Sequence, residues 1–200
     1  RKSHAAAQDA LVVQRLKAAG AVVFAKSNVP INLADFQSYN AVYGVTNNPW
    51  DLTRAAGGSS GGSAAAMAAG LSALEYGSDI GGSIRNPAAY CGVYGHKSTW
   101  CIVPKRGHSL APKPGAEADL SVIGPLARSA GDLSLALKLT VGADELNARG
   151  LVYKLPPPPG SVKGLRVAVW LDQDIAPVDD RVKTGIEAAA RALAKAGAKV

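Results

Sequence analysis

Cysteine is nearly absent: Cys91 and Cys101 are the only two in 200 residues. They are too few for a disulfide framework and form no CxxC pair, so reduced thiols in a cytoplasmic protein are the default expectation. Long apolar runs are missing as well. The longest, such as Ala64 to Ala69, fall far below the roughly 20 residues that cross a bilayer, so no membrane partner is expected. No secretory leader is visible, but the chain opens on Arg1-Lys2-Ser3-His4 without a Met and runs straight into a helical pattern. It closes on Gly197-Ala198-Lys199-Val200, which reads as a helix exit into a strand barely begun. The expectation is an excerpt of a longer protein.

What is present fits a soluble globular core: 48% apolar residues and a mean hydropathy of +0.06. The formal charge is +7, but the Lys and Arg residues are scattered and are not interleaved with aromatics in a stripe. A solvated basic surface is expected, not a nucleic-acid partner.

Leu11, Val12, Leu16 and Ala19 recur at helical spacing up to Gly20, and Ala21 to Ala25 reads as a short strand. Residues 27 to 56 are mixed, with a turn at Asn47-Asn48-Pro49. A Gly/Ser loop at 57–63 feeds a helix over Ala64 to Ala69. Leu71 to Tyr76 reads as a strand broken by Gly77, and Pro87 suits the first turn of a short helix. Residues 102–119 read as an exposed loop and Ser129 to Val141 as a helix. Pro156 to Pro159 reads as a stiff connector, spanning about 156–164 in all. A strand over Leu165 to Trp170 and a helix over Asp180 to Ala196 follow. Alternating strands and helices predict an α/β fold, here one domain over residues 1–200.

The informative stretches are Gly57-Gly58-Ser59-Ser60-Gly61-Gly62-Ser63 and Gly81-Gly82-Ser83. Glycine this dense costs chain entropy, so a fold uses it where backbone must bend unusually or come close to something. A serine in such a turn has little side-chain cover, and neighbouring N–H groups can aim at one point, which is how an oxyanion site is built. The alternatives are a flexible linker, a phosphate cradle and a nucleophile elbow. Both turns sit between patterned apolar segments, against a linker. Ser63 stands where a Walker A lysine must be. Gly57-Gly58-Ser59-Ser60-Gly61 satisfies G-x-S-x-G, but its lead-in is loop-like, and only His96 and His108 follow it. Without a credible histidine, a serine nucleophile needs another base. A lysine kept neutral by burial or neighbours can serve through a second, relaying hydroxyl.

Residues 57 to 99, GGSSGGSAAAMAAGLSALEYGSDIGGSIRNPAAYCGVYGHKST, closely resemble the amidase signature. Ala25-Lys26-Ser27-Asn28-Val29-Pro30 and Asn47-Asn48-Pro49-Trp50-Asp51 resemble the stretch that precedes it in that family. The resemblance implies a mixed, twisted central sheet covered by helices on both faces, and a Ser–Ser–Lys triad. Ser83 matches the acylating nucleophile. Ser59 matches the bridging serine, preceded by a cis peptide bond, and the two hydroxyls are expected to meet within hydrogen-bonding distance. The main-chain N–H groups of Ile80, Gly81, Gly82 and Ser83 match the oxyanion hole. Ser60, Asp79 and Arg85 match positions that support the turns, although an ordinary structural ion pair accounts equally well for Asp79 and Arg85.

The family's lysine lies further upstream of the bridging serine than the 58 residues available here. Lys26 and Lys97 match landmark positions and not the base, and Lys2 and Lys17 sit in unmatched contexts. The lysine is therefore expected to precede this segment, leaving the segment inactive by itself. Ser98 stands where the family usually has proline, and Cys101 where it usually has glycine. The implied activity is hydrolysis of a small-molecule carboxamide, with no metal or organic cofactor. The alternatives are a non-catalytic binding protein and the A-type subunit of a tRNA-dependent amidotransferase. A homodimer is compatible with either enzyme.

Overall fold

The computed structural model describes residues 6–108 and 119–200. The opening Arg1-Lys2-Ser3-His4, with Lys2, and most of the expected 102–119 loop lie outside the described residues. The chain divides into two compact units, one up to Tyr153 and one from Lys154. The expected connector at 156–164 falls inside the second.

In the first unit, α1 (Leu11–Ala18) is followed by four short strands: β1 (Tyr39–Asn40), β2 (Gly44–Val45), β3 (Asn47–Asn48) and β4 (Asp51–Ala55). These pair as two antiparallel ribbons, β1 with β2 and β3 with β4. Then come α2 (Gly61–Ala68), β5 (Glu75–Asp79), α3 (Arg85–Cys91), β6 (Tyr94–Gly95), β7 (Val122–Ala127) and α4 (Ala130–Thr140). β7 runs antiparallel between β5 and β6, in the order β5-β7-β6.

β7 is buried along its whole length, and strand alternation divides its side chains between two cores. Leu126 joins Ala56, Ala64, Met67, Ile84, Ala88 and Cys91, the residues of α2, α3 and the two glycine-serine turns. Ile123 faces the other way, into Val12, Leu16 and Val103, with Leu74, Tyr76, Leu137 and Val141 packed against them. The sheet thus carries α2 and α3 on one face and α1 and α4 on the other, as expected of the fold. The helices are tied locally too. The Ser129 hydroxyl caps α4 by accepting the Asp132 N–H at 3.0 Å. Arg15 of α1 donates to the carbonyls of Thr140, Gly142 and Ala143, holding the other end of α4.

Several sequence expectations shift. Leu71 to Tyr76 is not the strand. α2 closes on Gly70 at φ +72°, the chain turns, and pairing with β7 begins only at Glu75. Gly77 does not break that strand but lies within it, paired with Gly124, and it is glycine because the Ser60 Oγ occupies the space of a Cβ. Ala21 to Ala25 makes no ladder among the described residues, and Val22 and Phe24 are exposed. β7 is a strand that the sequence does not announce, since Gly124-Pro125 reads as a turn. The strand requires glycine at Gly124, because the His96 carbonyl oxygen occupies the space a Cβ would take.

The second unit holds α5 (Asp180–Lys195), capped by the Asp179 carboxylate accepting the Arg181 N–H at 2.9 Å. The expected strand over Leu165 to Trp170 is reduced to one parallel bridge, Arg166 to Lys199. A strand exists only against a partner, and among the described residues only Lys199 is found opposite it.

Candidate active site

Gly57 opens the first turn at φ +83°, and the Gly58–Ser59 peptide bond is cis. Ser60 ends the turn as the residue before α2. Ser38, from β1's approach, is fully buried beneath it. Its Oγ lies 3.2 Å from the Gly57 carbonyl and 3.1 Å from that of Ser59, and it accepts the Gly61 N–H at 2.9 Å. One hydroxyl therefore serves main-chain groups at both ends of the turn. Nothing in the sequence singles out Ser38, which stands in a stretch without pattern. Gly62 closes the assembly, donating its N–H to the Asn28 carbonyl at 3.1 Å. A Cβ on Gly62 would come within 2.3 Å of the Asn28 nitrogen, so only glycine fits.

The second turn is built around Asp79, at the end of β5. Its carboxylate is wholly buried. Oδ1 accepts the Gly82 N–H at 2.9 Å, and Oδ2 accepts those of Ile84 at 3.0 Å and Arg85 at 3.3 Å. The Arg85 guanidinium adds a fork, Nε to Oδ2 at 3.1 Å and Nη2 to Oδ1 at 2.9 Å. Burial by itself would raise the carboxyl's pKa. The Arg85 side chain and the three main-chain donors outweigh it and hold the group at about 2. The pair is an ion pair whose carboxylate also accepts three main-chain N–H groups of the turn.

The turns are joined through main chain. The Ser60 N–H donates to the Ser83 carbonyl at 3.0 Å, and the Gly58 N–H donates to the Asn86 Oδ1 at 3.2 Å. The expected hydrogen bond between the Ser59 and Ser83 hydroxyls is not made. Neither hydroxyl has a partner among the described residues, and neither is among the sealed side-chain atoms left without one. A serine hydroxyl turns about a single bond at little cost, so these main-chain bonds, and not the hydroxyls, set how the turns sit.

The expected oxyanion donors are divided. The Gly82 N–H is committed to Asp79, and one proton directed at a carboxylate cannot also point into an open site. The N–H groups of Ile80, Gly81 and Ser83 meet no acceptor among the described residues. Ser60 contributes its N–H, while its hydroxyl lies a long 3.5 Å from the Ser78 carbonyl.

No lysine completes a triad among the described residues. Lys17 pairs with Asp9 at 2.7 Å, and neither Lys26 nor Lys97 bonds to either serine. His96 and His108 do not bond to them either, and burial lowers the pKa of both imidazoles.

The family model of the amidases matches residues 1–200. The chain belongs to the amidase family. The A-type subunit of the glutamyl-tRNA(Gln) amidotransferase of Roseiflexus castenholzii is 37% identical over 196 residues, covering 96% of this chain and 39% of the relative. A provisionally assigned amidase of Mycobacterium tuberculosis, AmiB2, is 51% identical over 137 residues, covering 68% of this chain and 28% of that protein. Among solved structures, the A-type subunit of the glutamyl-tRNA(Gln) amidotransferase of Thermotoga maritima superposes with a TM-score of 0.87 at 35% identity, covering 100% of this chain and 44% of its own. This amidase-family chain spans about two fifths of the length of the curated relatives that match it along most of its length. Among its described residues, no helix is long and apolar enough to cross a membrane.

Proposed function

We propose that this segment carries the acyl-transfer centre of an amidase that cleaves a carboxamide C–N bond through an ester on Ser83. The observation that carries the reading is the Ser83 turn itself. A serine whose hydroxyl has no partner among the described residues sits between main-chain donors, in a turn pinned by a buried carboxylate and bonded to a second serine turn. Asp79, Arg85 and Ser60 hold that shape, and Ile80, Gly81 and Ser83 supply the N–H groups for the oxyanion. Gly82 shapes the turn.

In the mechanism, a neutral lysine elsewhere in the whole enzyme draws a proton through the Ser59 hydroxyl as Ser83 Oγ attacks the carbonyl carbon. The carbonyl electrons move onto oxygen, where the main-chain donors stabilise them, a single donor being typically worth about 3 kcal/mol. The electrons return, the C–N bond breaks, and the relayed proton leaves with the amine. Water then attacks the ester, gives its proton back along the same relay, and releases the carboxylic acid and Ser83. A histidine-dependent elbow is disfavoured, since neither His96 nor His108 reaches a serine.

The second reading is one component of an amidotransferase, favoured by the relatives matched along most of the chain. Plain amide hydrolysis is preferred because a provisionally assigned amidase is 51% identical over 137 residues. Comparing the whole enzyme with residues 1–200 for turnover of simple carboxamides, beside a glutaminase assay and gel filtration, tests the choice. Carboxamide turnover by the whole enzyme alone supports this reading. Glutamine-selective turnover requiring a second protein component supports the other. Strong turnover by residues 1–200 refutes the relay to an outside lysine.

A further inference from the structure

The segment 35–37 lies across both serine turns. A Cβ on Gly58 would stand 2.7 Å from the Asp35 carbonyl oxygen and 2.8 Å from the Gln37 nitrogen, so that backbone is pressed against the turn of Ser59. From the same segment the Phe36 ring reaches the other turn. Its Cε1 is 3.5 Å from where a Cβ of Gly82 would be, and its Cζ 4.0 Å from that of Gly81. Yet 56% of Phe36 remains exposed. One part of the ring lies against the glycines beside Ser83, and the rest is left uncovered by the described residues. Ile80, at the start of the same turn, is 60% exposed, a second large apolar side chain on the Ser83 turn.

A ring this exposed contributes little to the core. Its tether to both turns nevertheless fixes it relative to the carbonyl that Ser83 would attack. Resting on the proposed amidase chemistry, we propose that Phe36 is a specificity-determining residue. It is the wall on which an apolar group of the substrate lies, next to the scissile carbonyl. The class favoured is then carboxamides bearing an aryl or branched alkyl group, and not acetamide-sized ones. Desolvating both apolar surfaces supplies the preference, and a binding contact of this kind discriminates by about tenfold or more.

The test uses the whole enzyme and two substrates, benzamide and acetamide, with wild type, Phe36→Leu and Phe36→Ala. The ratio of kcat/KM for benzamide over acetamide is expected to fall in the order wild type, Leu, Ala, by about tenfold at Ala, chiefly through KM for benzamide. Leu keeps the series readable if the Ala protein does not fold. Fluorophosphonate labelling of Ser83 in each protein separates the two layers of the argument. If Ser83 is labelled but the ratio stays constant or rises, or both substrates slow in parallel, the Phe36 assignment is overturned and the nucleophile stands. If Ser83 is not labelled in the wild type, the amidase reading itself falls.

Discussion

The Oδ1 of Asn86 accepts the Gly58 N–H at 3.2 Å, so the first turn of α3, which follows Ser83, is tied to the turn that carries Ser59. The Asn86 N–H in turn donates to the Gly82 carbonyl at 2.7 Å. One residue thus links the Ser59 turn, the Ser83 turn and the helix. In Asn86→Ala the side-chain link is lost. The expected cost is about 1 kcal/mol of stability, and amide turnover should drop by about tenfold, since small misplacements of reacting groups are costly. Thermal denaturation and steady-state kinetics of the whole enzyme read both. An unchanged rate at lowered stability would make Asn86 structural only.

Asp79 gives the site an acid limit. Its folded pKa of about 2 lies below the ordinary 3.8. A depressed carboxyl contributes stability that is fully present above its unfolded pKa and is lost as pH falls through the folded one. The window is therefore about pH 4 down to 2, and the loss is of order 2 kcal/mol for a fully buried carboxylate. Urea midpoints for wild type and Asp79→Asn across that window should converge at the acid end. Parallel curves would show that the carboxylate's partners do not set its pKa.

Cys101 holds φ at +63°, a conformation that favours glycine, and it stands where the family usually has glycine. Cys101→Gly should raise stability by about 0.5–1 kcal/mol through relief at that backbone position, seen as a higher denaturation midpoint. A lower midpoint would show that the cysteine side chain's own contacts outweigh the backbone gain.

Tyr76 ties β5 to α4. Its hydroxyl donates to the Ala136 carbonyl at 2.8 Å and lies 3.1 Å from the Thr140 Oγ1. Burial pushes its pKa up to about 12, so the phenol stays protonated through neutral pH. Tyr76→Phe should cost about 1–2 kcal/mol, the ring being kept and a buried acceptor losing a donor. Ser83 labelling should persist, because this contact lies on the sheet face away from α2 and α3.

The two glycine-serine turns and the fold class are more legible in the sequence than the individual strands. Two dense glycine-serine clusters announce unusual backbone, and the structure shows why glycine is needed at Gly62 and Gly77, where neighbouring groups occupy the space of a side chain. Helices with a cap or an apolar period, such as α1 and α4, are readable for the same local reasons. β7 is hidden because Gly124-Pro125 imitates a turn, and its strand state depends on partners far away in sequence. Ser38, Phe36 and Asn86 are hidden for a related reason. They act through contacts with turns they do not belong to, and no spacing along the chain records that. The committed N–H of Gly82 is likewise invisible, because motif matching assigns donors by position while Asp79 claims one by geometry.

The most direct test is to quench the whole enzyme during turnover of a slow aryl carboxamide and map the acyl adduct by peptide mass spectrometry. The account predicts an added acyl group on the peptide containing Ser83, absent in Ser83→Ala and reduced in Ser59→Ala. An acyl group found on any other residue, or unimpaired turnover by Ser83→Ala, would contradict it.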